Sequence, residues 1–149
     1  MIVAMSSRLI DHILPLTKLN ELSRKEAGFI RVPKIHNTHT WFARRPAGPS
    51  RVLTLSSVLP SSVNVTSLEL ITGLSEALSK NTVIYMVKPK REEVRKIVQE
   101  AMGKDVSDIT VIDPMAGGGS IPLESLRLGF RTIAVEYNPV AYLVLKATI

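Results

Sequence analysis

A single segment constrains the fold of this chain more than any other. Residues 109–112 are β-branched throughout (Ile109, Thr110, Val111, Ile112), and Asp113, Pro114, Met115, Ala116, Gly117, Gly118, Gly119 and Ser120 follow. β-Branched runs of this kind suit a buried parallel strand. Three glycines then allow a sharp turn and a close approach of the backbone to a ligand. Ser120 and Pro122 open a helix whose first N–H groups lack intrahelical partners. Gly129 ends that helix, and residues 131–135 return as a second strand. Glu136 stands at the tip of this strand, 23 residues after Asp113 and 17 after Gly119. A carboxylate placed there can accept hydrogen bonds from both hydroxyls of a ribose, so the unit reads as a nucleoside-cofactor site.

What the turn lacks narrows the cofactor. A P-loop needs Gly-Lys-Ser/Thr, and no lysine follows Gly119. A dinucleotide fingerprint needs a third glycine where this chain has Pro122, which would obstruct pyrophosphate approach and helix–strand packing. Asp113, ahead of the glycines, would repel a pyrophosphate. It suits a cationic ligand, and S-adenosylmethionine carries a sulfonium and an ammonium. The methyl donor is the favoured reading; NAD or FAD, and a purely structural glycine turn, stay open.

The stretch from Asp113 to Ser120, with Ile121-Pro122-Leu123-Glu124 and Glu136-Tyr137-Asn138-Pro139-Val140-Ala141, resembles the first two motifs of amino-group DNA methyltransferases. Upstream lie Arg24-Lys25-Glu26 and Thr40-Trp41-Phe42-Ala43-Arg44-Arg45-Pro46. Together these resemble the N-terminal part of the large adenine-specific DNA methylases that often carry a zinc ribbon. That family typically shows Arg-Glu-Lys, His-x-Trp-Trp-Ala-Arg-Arg-Pro and Asp-Pro-Phe-Ala-Gly-Gly-Gly-Ser. This chain departs from the pattern at Phe42, Met115 and Lys25-Glu26. The resemblance spans about residues 8–149. It implies S-adenosylmethionine as cofactor, DNA as substrate and adenine N6 as the methylated atom. It further implies that Asp113, Pro114, Ala116, Gly117, Gly118, Gly119, Glu136 and Asn138 bind the cofactor. Within that set the glycines would cradle the methionine part, Asp113 would orient its ammonium and Glu136 would hold the ribose. His39, Trp41, Arg44 and Arg45 are candidates for bordering the cofactor or binding DNA.

Composition sets limits. With 149 residues, 45% of them hydrophobic, the chain is long enough for one domain with a core. It has no cysteine, which excludes a disulfide framework, a zinc ribbon within these residues and the thiolate of a cytosine-C5 methyltransferase. His36 and His39 are not read as metal ligands. Arg8 and Asp11 interrupt the apolar start, so no signal peptide is expected. The longest uncharged stretch, 52–68, is polar and broken by Pro60, so no membrane span is expected and the location is read as cytoplasmic.

The net charge of +6 is uneven. Residues 1–60 hold nine Lys/Arg against three Asp/Glu, whereas 61–149 hold ten of each. Seven of the basic residues fall between Arg24 and Arg51, interleaved with His36, His39 and Trp41. Such a segment attracts a phosphate backbone and an unstacked base. A solvated cationic face with a buried tryptophan is the plainer alternative.

The periodicity predicts a mostly helical region before the glycine unit. Residues 9–16 are apolar without a decisive period. Thr17 caps a helix over 18–27, and 28–49 form a long connection. Ser50 caps a helix over 51–59. A capping box at 66–69 opens one helix to about 79, with Leu68, Ile71, Leu74, Ala77 and Leu78 inward. Residues 82–87 are β-like. An amphipathic helix over 90–102 ends at Gly103, and Asn138 with Pro139 starts a last helix. The expected organisation is a basic N-terminal region (1–60), a helical connector (61–104) and the start of a cofactor-binding domain (105–149). The fold class is α/β, an incomplete Rossmann-like methyltransferase fold holding the first two strands of its sheet.

The family's sheet has seven strands and a later Asp/Asn/Ser-Pro-Pro-Tyr/Phe motif that binds the target amine. None of the nine prolines here is paired with another. The last helix, with Val140, Tyr142, Leu143, Val144 and Leu145, is expected to find little to pack against. The chain is therefore expected to be a split-enzyme subunit or a truncated gene product, with no catalytic residue of its own. A second polypeptide would complete the sheet. An inactive DNA- or cofactor-binding fragment, and a fragment of a nucleotide-cofactor oxidoreductase, are the alternatives.

Overall fold

The computed structural model describes residues 7–27, 41 and 44–149. Seven α-helices and two strands occur among them: α1 (Leu16–Ala27), α2 (Ala47–Val58), α3 (Val65–Thr72), α4 (Leu74–Ser79), α5 (Arg91–Met102), β1 (Thr110–Asp113), α6 (Ser120–Leu128), β2 (Arg131–Ala134) and α7 (Pro139–Thr148). The architecture is mixed α/β, mostly helical, with one two-stranded parallel sheet.

Helices α1 to α6 share one apolar core. Leu19 and Leu22 of α1, Val52 and Leu55 of α2, Leu68 and Ile71 of α3, Leu74 and Ala77 of α4, Val94 and Val98 of α5, and Leu128 of α6 are all buried in it. The helical periodicity of α1 and α5 turns one stripe inward, as the amphipathic pattern requires, whereas α2 is buried over most of its surface. The inward set expected for α3 and α4 is observed, with Leu78 only partly buried.

Several expected boundaries are corrected. Helix α2 begins at Ala47, not Arg51, and Ser50 lies inside it with its hydroxyl donating to Pro46 O at 2.8 Å. Proline is tolerated in a first turn, so Pro49 does not delay the start. The capping box at 66–69 does not form. Asn64 caps α3 by accepting from Thr66 N–H at 2.8 Å, while Glu69 is buried and ion-paired with Lys18 of α1 at 2.5 Å. The single helix expected to 79 breaks at Gly73, whose φ of +79° is left-handed. Residues 82–87 form no strand: a 3₁₀ turn spans Ile84–Met86, and Val83 and Ile84 are buried side by side. An apolar run of that length marks burial, not a particular secondary structure.

The strands pair in parallel through the crossover helix α6, with Val111 opposite Thr132, Ile112 opposite Ile133 and Asp113 opposite Ala134. Val111 packs against the core, but the other face is open. Ile112 and Ile133, register partners on that face, are 61% and 47% exposed, and Val135 beyond them is also exposed. The buried strand expected from the β-branched run is thus covered on its inward face alone. The last helix is better packed than expected, because Ala141 and Leu145 of α7 are buried. Its outer side chains Val140, Tyr142 and Leu143 are exposed. Among the described residues no helix is long and apolar enough to cross a membrane.

Candidate functional site

The glycine turn is held by the sheet that precedes it. Val135 N–H donates to Asp113 O at 2.8 Å and Ala116 N–H donates to Val135 O at 3.0 Å, so strand pairing continues into the turn. Gly119 N–H closes on Ala116 O at 2.8 Å. Gly117 and Gly119 have φ values of +51° and +80°, in the region that side chains disfavour. Gly119 is also the residue from which α6 starts.

A cavity of about 480 Å³ opens at this turn. Asp113, Met115, Ala116, Gly117, Gly118, Ser120 and Ile121 form one wall, Glu136 and Asn138 another, and Trp41, Arg44 and Arg45 a third. The expected site residues are therefore brought together, except that Pro114 and Gly119 lie outside the lining. Gly119 is covered instead by α7: a Cβ there would lie 2.9 Å from Leu145 Cδ1. His39 and His36 lie outside the described residues. Met115, Ser120 and Ile121 were not expected in the lining; the phase of α6 relative to the glycine turn is the signal that could have marked the last two.

Glu136 organises the turn. Its Oε2 accepts from Gly117 N–H at 2.7 Å and its Oε1 from Asn138 N–H at 2.8 Å. These backbone donors, Asn138 first, hold its carboxyl below the usual range. Tyr137 N–H also acts on it, and because a carboxylate has about four acceptor sites, one remains for a hydroxyl donor. Asp113 accepts from Met115 N–H at 3.2 Å, which makes it a turn carboxylate and a cavity wall at once. Asn138 caps α7, accepting from Val140 N–H at 2.9 Å.

The third wall comes from far along the chain. Arg44 Nη2 donates to Gly118 O at 2.7 Å and to Thr148 Oγ1 at 3.4 Å, tying the segment before α2 to the glycine turn and to α7. Its Nε is buried with no hydrogen-bond partner among the described residues. Burial lowers the guanidinium's affinity for its proton, and Glu26 restores part of it. Trp41 lies on the glycines: a Cβ at Gly117 would fall 2.9 Å from its Nε1, and one at Gly118 3.1 Å from its Cβ. The small residues here make room for a protein side chain as well as for any ligand.

The basic segment is not one continuous phosphate surface. Arg45 and Arg24 are exposed, Arg44 is engaged with Gly118, and Arg51 is fully buried. Arg51 Nε donates to Glu124 Oε2 of α6 at 2.5 Å, and its Nη1 donates to Thr72 O and Val87 O at 2.8 and 3.0 Å. Arg127 completes this cluster at Glu124 Oε1, 2.9 Å away. Reading Arg51 as a surface cation is corrected: a buried carboxylate on α6 draws it inward. Among the described residues no three His, Asp or Glu side chains are grouped to hold a metal ion. Comparison of the chain with protein-family models, with curated proteins and with solved structures finds no match.

Proposed function

We propose that this chain forms the cofactor-binding part of an S-adenosylmethionine-dependent amino-group DNA methyltransferase, with adenine N6 as the expected target. The observation that carries the reading is the meeting of Asp113, the Gly117–Gly118 backbone and Glu136 around one cavity. Its volume lies within the roughly 300–1,000 Å³ of small-molecule sites. The donor set fits the group. Glu136 keeps an acceptor site for a ribose hydroxyl, and Asp113 offers a negative wall to an ammonium or sulfonium. Bound there, the cofactor supplies an electrophilic methyl group. The motif resemblance described above adds the DNA substrate, and the exposed Arg24 and Arg45 support it.

The residues that activate the target amine are proposed to lie on a further polypeptide segment packing on the open sheet face. Support comes from the apolar surface there. Ile112, Ile133 and Val135 are exposed on it, an arrangement that parallel sheets normally bury.

Isothermal titration tests the cofactor. S-adenosylmethionine or its demethylated product is expected to bind more tightly than NAD, and the reverse order refutes the assignment. Glu136→Ala is expected to weaken binding by about 1.5–3 kcal/mol, the worth of charged hydrogen bonds. Unchanged affinity removes the ribose role. Methyl transfer to DNA is expected only when a polypeptide carrying the Pro-Pro motif is added, and transfer by the isolated 149-residue chain overturns the divided site.

A further inference from the structure

We propose that Glu26 is a positioning residue for the cavity: it anchors, from outside, the segment that lays Trp41 and Arg44 across the glycine turn. Glu26 stands in the last turn of α1, and both its carboxylate oxygens accept from the N–H of Ala47 at 3.0 Å. Ala47 is the first residue of α2, where backbone N–H groups have no partner within the helix. The residue that should cap it is Pro46, which makes no side-chain cap bond. The carboxylate of another helix fills that role, at the positive end of the helix dipole. Its charge also attracts Arg44, two residues before Pro46.

The consequence reaches the cavity through the chain. Arg44 N–H donates to Trp41 O at 3.1 Å, and the Arg44 side chain holds Gly118 O at 2.7 Å. The third wall is thus pinned on the glycine turn and on α7 by Arg44, and at the start of α2 by Glu26. Beyond its first turn α2 is held independently, by the fully buried Arg51, Val52 and Leu55. Losing the Glu26 contact therefore loosens the start of the helix and the segment leading into it, a local opening that leaves the core intact. Desolvation raises the proton affinity of this half-buried carboxylate, opposed by the Ala47 N–H. A capping glutamate on the surface would not meet that cost. The proposal rests on the cofactor reading only for its ligand measurement.

Trp41 is the chain's only tryptophan, so its fluorescence reports the wall without any ligand. In the full chain, Glu26→Ala is expected to raise the acrylamide quenching constant of Trp41 at least about twofold and to weaken S-adenosylhomocysteine binding about tenfold. Far-UV circular dichroism should stay unchanged. Glu26→Gln keeps an oxygen that accepts from Ala47 and is expected to hold quenching near the wild-type value. Wild-type quenching in folded Glu26→Ala overturns the proposal, as does a Gln variant that behaves like Ala. If the Ala variant does not fold, Glu26→Asp, one methylene short of Ala47, takes its place with the same two outcomes. A wild-type chain that binds no S-adenosylhomocysteine, with the quenching response intact, overturns the cofactor reading and supports the anchor.

Discussion

Replacing Arg51 by methionine is the most severe single change that these contacts predict outside the glycine turn. Methionine keeps most of the apolar stem, so the loss is that of the guanidinium and little else. Glu124, with no exposed side-chain surface, then keeps, among the described residues, Arg127 alone, whose Nη1 lies 2.9 Å away and whose side chain is 22% exposed. Removing one partner of a buried pair costs about 3–5 kcal/mol, because the remaining charge stays desolvated. The retained Arg127 contact places this case near the low end. Thr72 O also loses its Arg51 donor at 2.8 Å, whereas Val87 O keeps Arg127 Nη2 at 3.0 Å. One orphaned carbonyl adds about 1 kcal/mol, giving about 4 kcal/mol in all. Urea unfolding followed by circular dichroism reads this as a lower midpoint at constant slope. Changing Glu124 to leucine in the same chain removes the stranded charge and is expected to recover most of the loss. A loss below about 1 kcal/mol for the single variant, or a double variant as unstable as the sum of the two singles, refutes the argument.

Gly117→Ala is expected to cost about 1–2 kcal/mol through its φ of +51° and to red-shift Trp41 emission, since the new methyl would fall 2.9 Å from the indole nitrogen; unchanged melting and emission would remove Trp41 from the turn. If the exposed Arg45 contacts phosphate, Arg45→Ala should reduce the log–log salt slope of duplex DNA binding by about 0.9. Arg44→Ala should leave that slope alone, because Arg44 holds Gly118 O, and an equal reduction by both variants would refute this division. Asp105 is held at about 2 by Ser107 N–H, the Ser107 hydroxyl and Arg95. Its folded value lies below the ordinary 3.8, so its contribution is present above that pH and is lost as pH falls toward 2. Asp105→Asn should flatten acid unfolding over that window, and an NMR titration midpoint near 3.8 would contradict the contacts.

The glycine unit was legible in the sequence because its chemistry is local. Positive φ at Gly117 and Gly119, the Gly129 stop and the Asn138 cap depend on neighbours within a few residues, and each is observed where the residue types place it. The same holds for the apolar stripes of α1 and α5, which follow a helical period. Residues 82–87 could not be read this way, since buried Val83 and Ile84 satisfy a strand or a 3₁₀ turn equally until their neighbours are known. Nor could a charge count tell Arg45, which meets solvent, from Arg51, whose partner Glu124 lies 73 positions away. The sequence by itself determined the strand–turn–helix–strand unit and the carboxylates that flank it. Only the tertiary structure decided the third wall, by bringing Arg44 to a glycine carbonyl 74 positions on and Glu26 to the first N–H of α2, because those bonds depend on how separate helices pack and not on any local run of residues.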